Sequence, residues 1–306
     1  MEKIVFVRAA LRGNDYVKDA IEASGYKYLI PYKDYNLFLR LCREVWFRLH
    51  LPFKSIWFNK ELKKVDSEIF HFCDSLMCPQ LFKWMHKHHP NSSLFLMYEN
   101  RAKLSTFRID SLDRSIVTPY SYDDDDCKEF NMKKCSVVFV DYFRVKEKDK
   151  IEYDVVYVGR DKGRADYILA LEKQLNDLGL KTYFHLCADR SMFSKKKDFY
   201  KPVMPYINYV EYVKKTRAIL NIVTEGTKSF SQRDLECVFD DTKCITNNKE
   251  IKNFSMYDPS RYFILGEDDL SKLPAFLDAP FKKASEEELD KFKFKSEVDF
   301  FISERK

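Results

Sequence analysis

The chain has 306 residues, 45% of them apolar and 16% aromatic, which is enough for two packed cores and too apolar for wholesale disorder. Its 53 Lys and Arg against 48 Asp and Glu give a formal net charge of +5. That mild basicity suits anionic small molecules or an acidic membrane face and falls short of the dense cationic signature of a nucleic-acid binder.

In chain order, Lys3 to Val7 reads as a strand, Arg12 to Asp15 as a turn and Tyr16 to Ala23 as a helix stopped by Ser24-Gly25. The opening Ile4-Val5-Phe6-Val7 is too short for the apolar core of a signal peptide, and no run approaches the roughly 18 apolar residues of a membrane span. Eight cysteines without a CxxC pair, most inside apolar segments, read as buried free thiols, so a cytoplasmic location is expected. Glu68 to Cys73 and Ser93 to Tyr98 are apolar runs on either side of an amphipathic helix, Pro79 to His88, and Cys135 to Asp141 reads as a further strand. Such alternation with short connections predicts a parallel α/β sheet.

The charged stretch Phe143 to Glu152, "FRVKEKDKIE", reads as a linker over residues 143–152 between a first domain (1–142) and a second (153–282). The second half restarts the alternation, with strands at Asp154–Val158, Lys181–Leu186, Ala218–Val223, Lys243–Thr246 and Tyr262–Leu265. Helices are expected at Ala165–Leu178, Tyr206–Thr216 and Gln232–Phe239. Residues 283–306 open on Ser285 and Glu288, spaced as a capping box, and continue as a C-terminal amphipathic helix.

Two of the chain's seven glycines stand in "VYVGRDKGR", Val156 to Arg164. Gly159 and Gly163 bracket Arg160-Asp161-Lys162 between a strand and a helix. A helix N-terminus there offers N–H groups and a positive dipole end to an anion while the side chains add charge. The same residues also suit a solvated strand-end turn. Neither GxxxxGK[ST] nor GxGxxG is present, which removes the usual support for an NTPase or a dinucleotide enzyme. Arg233 and Glu236, three residues apart near the start of the Gln232–Phe239 helix, share one face. They can fork onto phosphate and accept ribose hydroxyls, or form a surface ion pair worth about a few tenths of a kcal/mol.

Together, "DVVYVGRDKGR", "LEKQLNDLGLKTYFHL", "PYINYVEYVKKTRAILNIV", "SQRDLE" and "CITNNKEIKNFSMYDPSRYFIL" resemble the C-terminal half of GT-B glycosyltransferases, particularly bacterial ones making capsule, O-antigen or other surface polysaccharide. The resemblance spans residues 152–266, and the first half follows it only in layout. It implies an α/β fold of two Rossmann-like domains facing each other across a cleft, the second binding a nucleotide-sugar. Gly159, Arg160, Lys162, Gly163 and Arg164 would flank the diphosphate, with Thr227 close by and Arg233 and Glu236 on phosphate and ribose. The stretch Lys228 to Gln232 departs from the small-residue approach such enzymes have, so the donor sugar is unreadable.

Fixed cations and backbone N–H groups can stabilise a departing nucleoside diphosphate, so neither cofactor nor metal is expected. The acceptor, a glycan or a lipid-linked one, needs a base if the reaction inverts. Asp15, after the first strand, and Glu99, after the Ser93–Tyr98 strand, are the candidates. "DDDD" at Asp123–Asp126 looks metal-binding but falls where a helix should begin. His86, His88 and His89 suit the C-terminal end of theirs. The Lys-aromatic stretch Phe193 to Lys201 has a composition that can rest on anionic lipid headgroups, so peripheral membrane contact is expected while nucleic acid is not.

Overall fold

The computed structural model describes residues 2–9, 16–33, 36–105, 107–189, 197–224 and 230–305. It divides into two units, Met1–Val137 with Phe294–Lys306, and Val138–Lys293.

The first unit contains β1 (Glu2–Val7), α1 (Tyr16–Ala23), β2 (Lys27–Leu29), α2 (Leu37–Arg48), β3 (Ser67–Cys73), α3 (Pro79–His88) and β4 (Ser93–Tyr98). β5 (Val117–Ser121), α4 (Asp124–Glu129) and β6 (Lys133–Lys134) follow. The strands form one parallel sheet in the order β2-β1-β3-β4-β5-β6. Both faces of the sheet are covered, which is why β3 and β4 read as nearly continuous apolar runs. Alternate side chains serve the two faces. Val5, Phe70, Phe72 and Leu96 pack with Leu81, Phe82 and Met85 of α3. Ile4, Phe6, Ile69 and Phe95 pack with Ile21 of α1 on the other side.

The second unit holds β7 (Tyr153–Arg160), α5 (Ala165–Asp177), β8 (Thr182–Cys187), α6 (Tyr206–Lys214), β9 (Thr216–Asn221), α7 (Gln232–Phe239), β10 (Lys243–Thr246), β11 (Tyr262–Ile264), α8 (Leu273–Asp278) and α9 (Glu286–Asp290). Its parallel sheet runs β11-β10-β9-β7-β8. Val155, Tyr157, Leu220 and Ile245 meet Ile168, Leu171 and Leu175 of α5 and Leu273 and Leu277 of α8.

Three expectations are corrected. Cys135 to Asp141 is no strand. β6 stops at Lys134, Cys135 donates its N–H to the Ser121 carbonyl (3.0 Å), and Phe139 is buried against Phe239 with ring centres 4.5 Å apart. That run is apolar because both units bury parts of it, not because it is paired in a sheet. Residues 143–152 pack into the second unit rather than bridging between units. Val145 is buried and donates its N–H to Asp240 at 2.8 Å, Arg144 donates to the Phe239 carbonyl at 2.9 Å, and Lys148 to the Val213 carbonyl at 2.8 Å. Residues 283–306 form two helices. α9 carries the Ser285–Glu288 capping box within the second unit, while α10 (Phe294–Ser303) buries Phe294, Val298 and Phe301 in the first.

Candidate functional site

In each sheet the strand order reverses beside the first strand, between β1 and β3 and between β7 and β9. Ligands of open α/β sheets bind outside the carboxyl ends at such a reversal.

At the β7/β9 edge, β7 ends on Arg160 and the chain turns through Lys162 and Gly163, both left-handed with φ of 48° and 76°. Glycine adopts this conformation freely, whereas a lysine there is strained. Gly159 leaves room for another reason, since a Cβ would lie 2.6 Å from the hydroxyl oxygen of the buried Tyr157, whose ring would have to shift. Lys162 and Gly163 are exposed, and Arg160 and Arg164 are half-buried. The Lys162 ammonium is held below its ordinary pKa by partial desolvation and by the cations Arg164 and Arg160, against the opposing pull of Asp189.

The anion-seeking groups of this loop already have acidic partners. The Asp161 carboxylate accepts the N–H groups of Arg164 (2.7 Å) and Ala165 (2.6 Å) at the start of α5 and the Tyr200 hydroxyl (2.5 Å). Asp189 accepts the Lys162 N–H at 3.0 Å. The dipole end of α5, expected to be open to phosphate, is thus capped by the residue inside the motif. Arg164 is equally engaged. Its guanidinium donates to the Ile222 carbonyl and, at 3.2 Å, to that of Asp161, tying the ends of β7 and β9 together. Arg160 donates to the Ala188 carbonyl at 3.1 Å.

Arg233 and Glu236 meet at 2.9 Å. The pair is not a surface one, since Glu236 is 3% exposed. Its carboxylate also accepts the hydroxyls of Tyr206 and Tyr209, each at 3.1 Å, while Arg233 donates to the Val158 carbonyl (3.1 Å) and lies 4.3 Å from the centre of the Tyr209 ring. Asp234 caps α7 through Ser231 and takes an amide N–H of Asn221 at 2.8 Å. The structure therefore brings Gly159, Arg160, Lys162, Gly163, Arg164, Arg233 and Glu236 to one sheet edge. Thr227 lies outside the described residues.

At the β1/β3 edge, Arg8 follows β1, Asp74 follows β3 and Glu99 follows β4. Arg8 is in ion-pair contact with Glu99, and the Glu99 N–H donates to Asp74 at 3.2 Å. Beneath them Glu297 of α10 comes within 3.8 Å of the buried His71 imidazole. Burial pushes Glu297 up to about 7, Arg8 opposing and Glu99 adding to it, and burial with the nearby Arg8 charge takes His71 down to about 3. Asp74 is also raised, by burial first. Asp15 lies outside the described residues, and Glu99 is engaged by Arg8. Arg8, Asp74 and Glu297 escaped the sequence reading. The signal that could have found Asp74 and Arg8 was position, each being the first charged residue after an apolar strand.

Cys73, Asp74 and Glu99 place one ligand atom each within 4.8 Å of one another. The Arg8 guanidinium already neutralises Glu99, and burial pushes the Cys73 thiol up and keeps it protonated, so this set fits a hard divalent cation poorly. The four aspartates diverge. Asp123 accepts the Asp126 N–H (3.1 Å), Asp126 accepts the Ala102 N–H (2.8 Å), Asp124 pairs with Lys134 at 2.5 Å, and Asp125 faces Arg101 at 3.5 Å. His88 and His89 reach the carbonyls of Trp84 and Leu62, both at 2.8 Å. Of the described part of the Phe193–Lys201 stretch, Phe199 and Tyr200 pack on the core of the second unit, while Lys197, Asp198 and Lys201 are exposed.

No family model matches the chain, and no curated protein matches it. Among solved structures it is similar to the catalytic domain of starch synthase IV from Arabidopsis thaliana, bound to ADP and acarbose. The TM-score is 0.52 at 8% identity, over 99% of this chain and 98% of that one. The spinosyn forosaminyltransferase SpnP (TM-score 0.42, 9% identity, 99% and 95% covered) and the glycotransferase of kitacinnamycin (0.38, 9%, 100% and 99%) score too low to carry an argument. No helix among the described residues is long and apolar enough to cross a membrane. With two parallel Rossmann-like sheets and near-complete coverage of the starch synthase domain, the chain has the GT-B-like α/β fold.

Proposed function

We propose that the protein is a glycosyltransferase that moves a sugar from a nucleotide-sugar, bound at the β7/β9 edge, to a glycan or lipid-linked acceptor in surface polysaccharide synthesis. The observation that carries this reading is the cluster of cations at that edge. Arg160, Lys162, Arg164 and Arg233 stand at the strand-order reversal of a chain whose fold matches a domain that binds ADP. Lys162 and the backbone of Gly163 are the exposed members, so the diphosphate would seat there, displacing Asp189 from the Lys162 N–H. Charge developing on the departing diphosphate would meet cations already in place, so no metal need supply that charge. The buried Glu236 would orient Arg233 and the two tyrosines, and reach a ribose only if a tyrosine hydroxyl yields its place. Acceptor deprotonation would fall to Asp15 or to a carboxylate of the β1/β3 edge, Glu99 or its neighbour Asp74. A cytoplasmic site, with the chain visiting the inner membrane face, would suit a lipid-linked acceptor.

Calorimetry with a panel of nucleoside diphosphates tests the donor site. Binding that is lost in Lys162→Glu with folding intact supports it, and no binding by any of them sinks it. The engagement of Glu236 by two tyrosines and Arg233, and of Glu99 by Arg8, favours a second reading, a GT-B-like subunit that binds nucleotide or sugar without turnover. Slow hydrolysis of a bound nucleotide-sugar would distinguish the transferase from the binder.

A further inference from the structure

Helix α2 is built inside out. Its inward face carries Arg43, buried and stacked at 4.5 Å over the Tyr32 ring, beside Phe47. Its outward face is largely apolar, with Glu44 and Arg48 the exposed charged residues on it. Leu37, Phe38, Leu41, Val45 and Leu49 lie at helical spacing on one side, and Phe38 is 70% and Leu49 62% exposed. The chain then continues through His50 and Phe53, both left-handed, and Phe53 is 77% exposed with Ile56 beside it. A non-glycine backbone held in that region is strained, and such strain persists where the surrounding structure imposes it, commonly at functional surfaces. A contiguous apolar surface of this kind is unusual on a protein that meets only water.

The charge around it is one-sided. Residues 36–64 carry seven Lys and Arg against two Glu, a net of +5 that equals the formal net charge of the whole chain. Arg48 is exposed in the last turn of α2, on the same side as the stripe, and Lys54 follows Phe53. An apolar stripe bordered by cations is the pattern of a helix lying in a membrane interface, its leucines and phenylalanines among the acyl chains and its cations among anionic headgroups. A second copy of the chain fits less well, since two surfaces of the same net charge would have to be pressed together.

We infer that α2 and the following Leu49–Ile56 segment form a docking surface for an anionic bilayer. The inference stands apart from the glycosyl-transfer reading, because neither nucleotide nor acceptor enters its test. It places the membrane contact on residues other than the Phe193–Lys201 stretch.

Flotation with phosphatidylcholine vesicles, with and without phosphatidylglycerol, tests it. The protein should float with the anionic vesicles and lose most of that binding at high salt. Phe38→Ser/Leu41→Ser/Leu49→Ser and Arg48→Glu/Lys54→Glu should each weaken binding at least roughly tenfold, since a single basic residue near the surface counts for about fivefold. Should these variants fold poorly, the unmutated protein suffices. Trp46 lies on α2, and brominated lipid should quench tryptophan emission in anionic vesicles. Absence of binding to anionic vesicles, or binding that the triple variant retains, would overturn the proposal. So would a concentration-dependent dimer in sedimentation that the triple variant abolishes, which would assign the surface to a second copy.

Discussion

The two carboxyl edges share a topology and differ in the balance of their charge. At the β7/β9 edge four cations, Arg160, Lys162, Arg164 and Arg233, meet four carboxylates, Asp161, Asp189, Asp234 and Glu236. At the β1/β3 edge one arginine, Arg8, meets Asp74, Glu99 and Glu297. A buried charge must find a partner or give up its proton. Where the charges balance, the exposed Lys162 keeps a pKa depressed by partial desolvation and by its neighbours Arg164 and Arg160. Where carboxylates are in surplus, burial raises the pKa values of Asp74 and Glu297 instead, which is how a carboxyl group becomes a competent proton acceptor or donor near neutrality.

The contrast can be broken most forcefully at Glu236. Glu236→Ala leaves Arg233 and two tyrosine hydroxyls short of their shared partner in a buried site and should cost about 3 kcal/mol, read as faster hydrogen exchange in β7 and β9. Glu236→Gln should retain much of that stability, so it is the better variant for binding experiments. The acidic edge is tested by pH. All three tryptophans, Trp46, Trp57 and Trp84, belong to the first unit, so their fluorescence reports its unfolding. His71, depressed from 6.5 to about 3, contributes stability that is present above pH 6.5 and lost as pH falls towards 3. Glu297, raised from 4.5 to about 7, contributes stability that is present below pH 4.5 and lost as pH rises to 7. Between pH 4.5 and 6.5 the two slopes oppose, and the unmutated first unit should show a plateau. In Glu297→Gln the His71 slope is no longer offset by Glu297, so stability should rise with pH by up to about 1.4 kcal/mol per pH unit in urea midpoints converted to free energy, less what the raised Asp74 takes back at the acid end. Absence of that slope would mean His71 is not buried neutral.

At the basic edge, Lys162→Ala should weaken nucleoside diphosphate binding roughly tenfold, the order of one charge-assisted contact, without moving the melting temperature. Glu99→Gln should leave that affinity unchanged, and a parallel loss would erase the distinction between the edges. Gly163→Ala is the mildest test, costing about 1 kcal/mol in thermal stability because the left-handed backbone must accept a Cβ, even though nothing lies within 4 Å of it.

The parallel sheets were largely legible because strands buried on both faces, β3, β4, β7 and β9, leave nearly unbroken apolar runs. The short edge strand β6 and helix α2 were not legible. β6 is two exposed lysines, and most of the bulky aliphatic residues of α2, Leu37, Leu41, Val45 among them, are exposed. The run 135–141 misled for the same reason in reverse, since apolarity records burial and not hydrogen-bonding partners. Within the candidate site, the residues of "VYVGRDKGR" and the Arg233–Glu236 pair could be singled out as a group. That Asp161 caps α5, that Arg164 spends its guanidinium on carbonyls, and that two tyrosines from α6 hold Glu236 could not be read, because each partner lies on another element or across a turn.

By itself the sequence determined the α/β class, the strand-loop-helix placement of the basic loop and the positions where glycine is needed, because these follow from local periodicity and backbone sterics. Tertiary structure alone decided which charges are spent within the chain and which stay exposed. That depends on burial and on partners such as Tyr206 with Glu236, or Arg8 with Glu99, that are 30 or more residues apart in sequence and adjacent only once the sheet has formed.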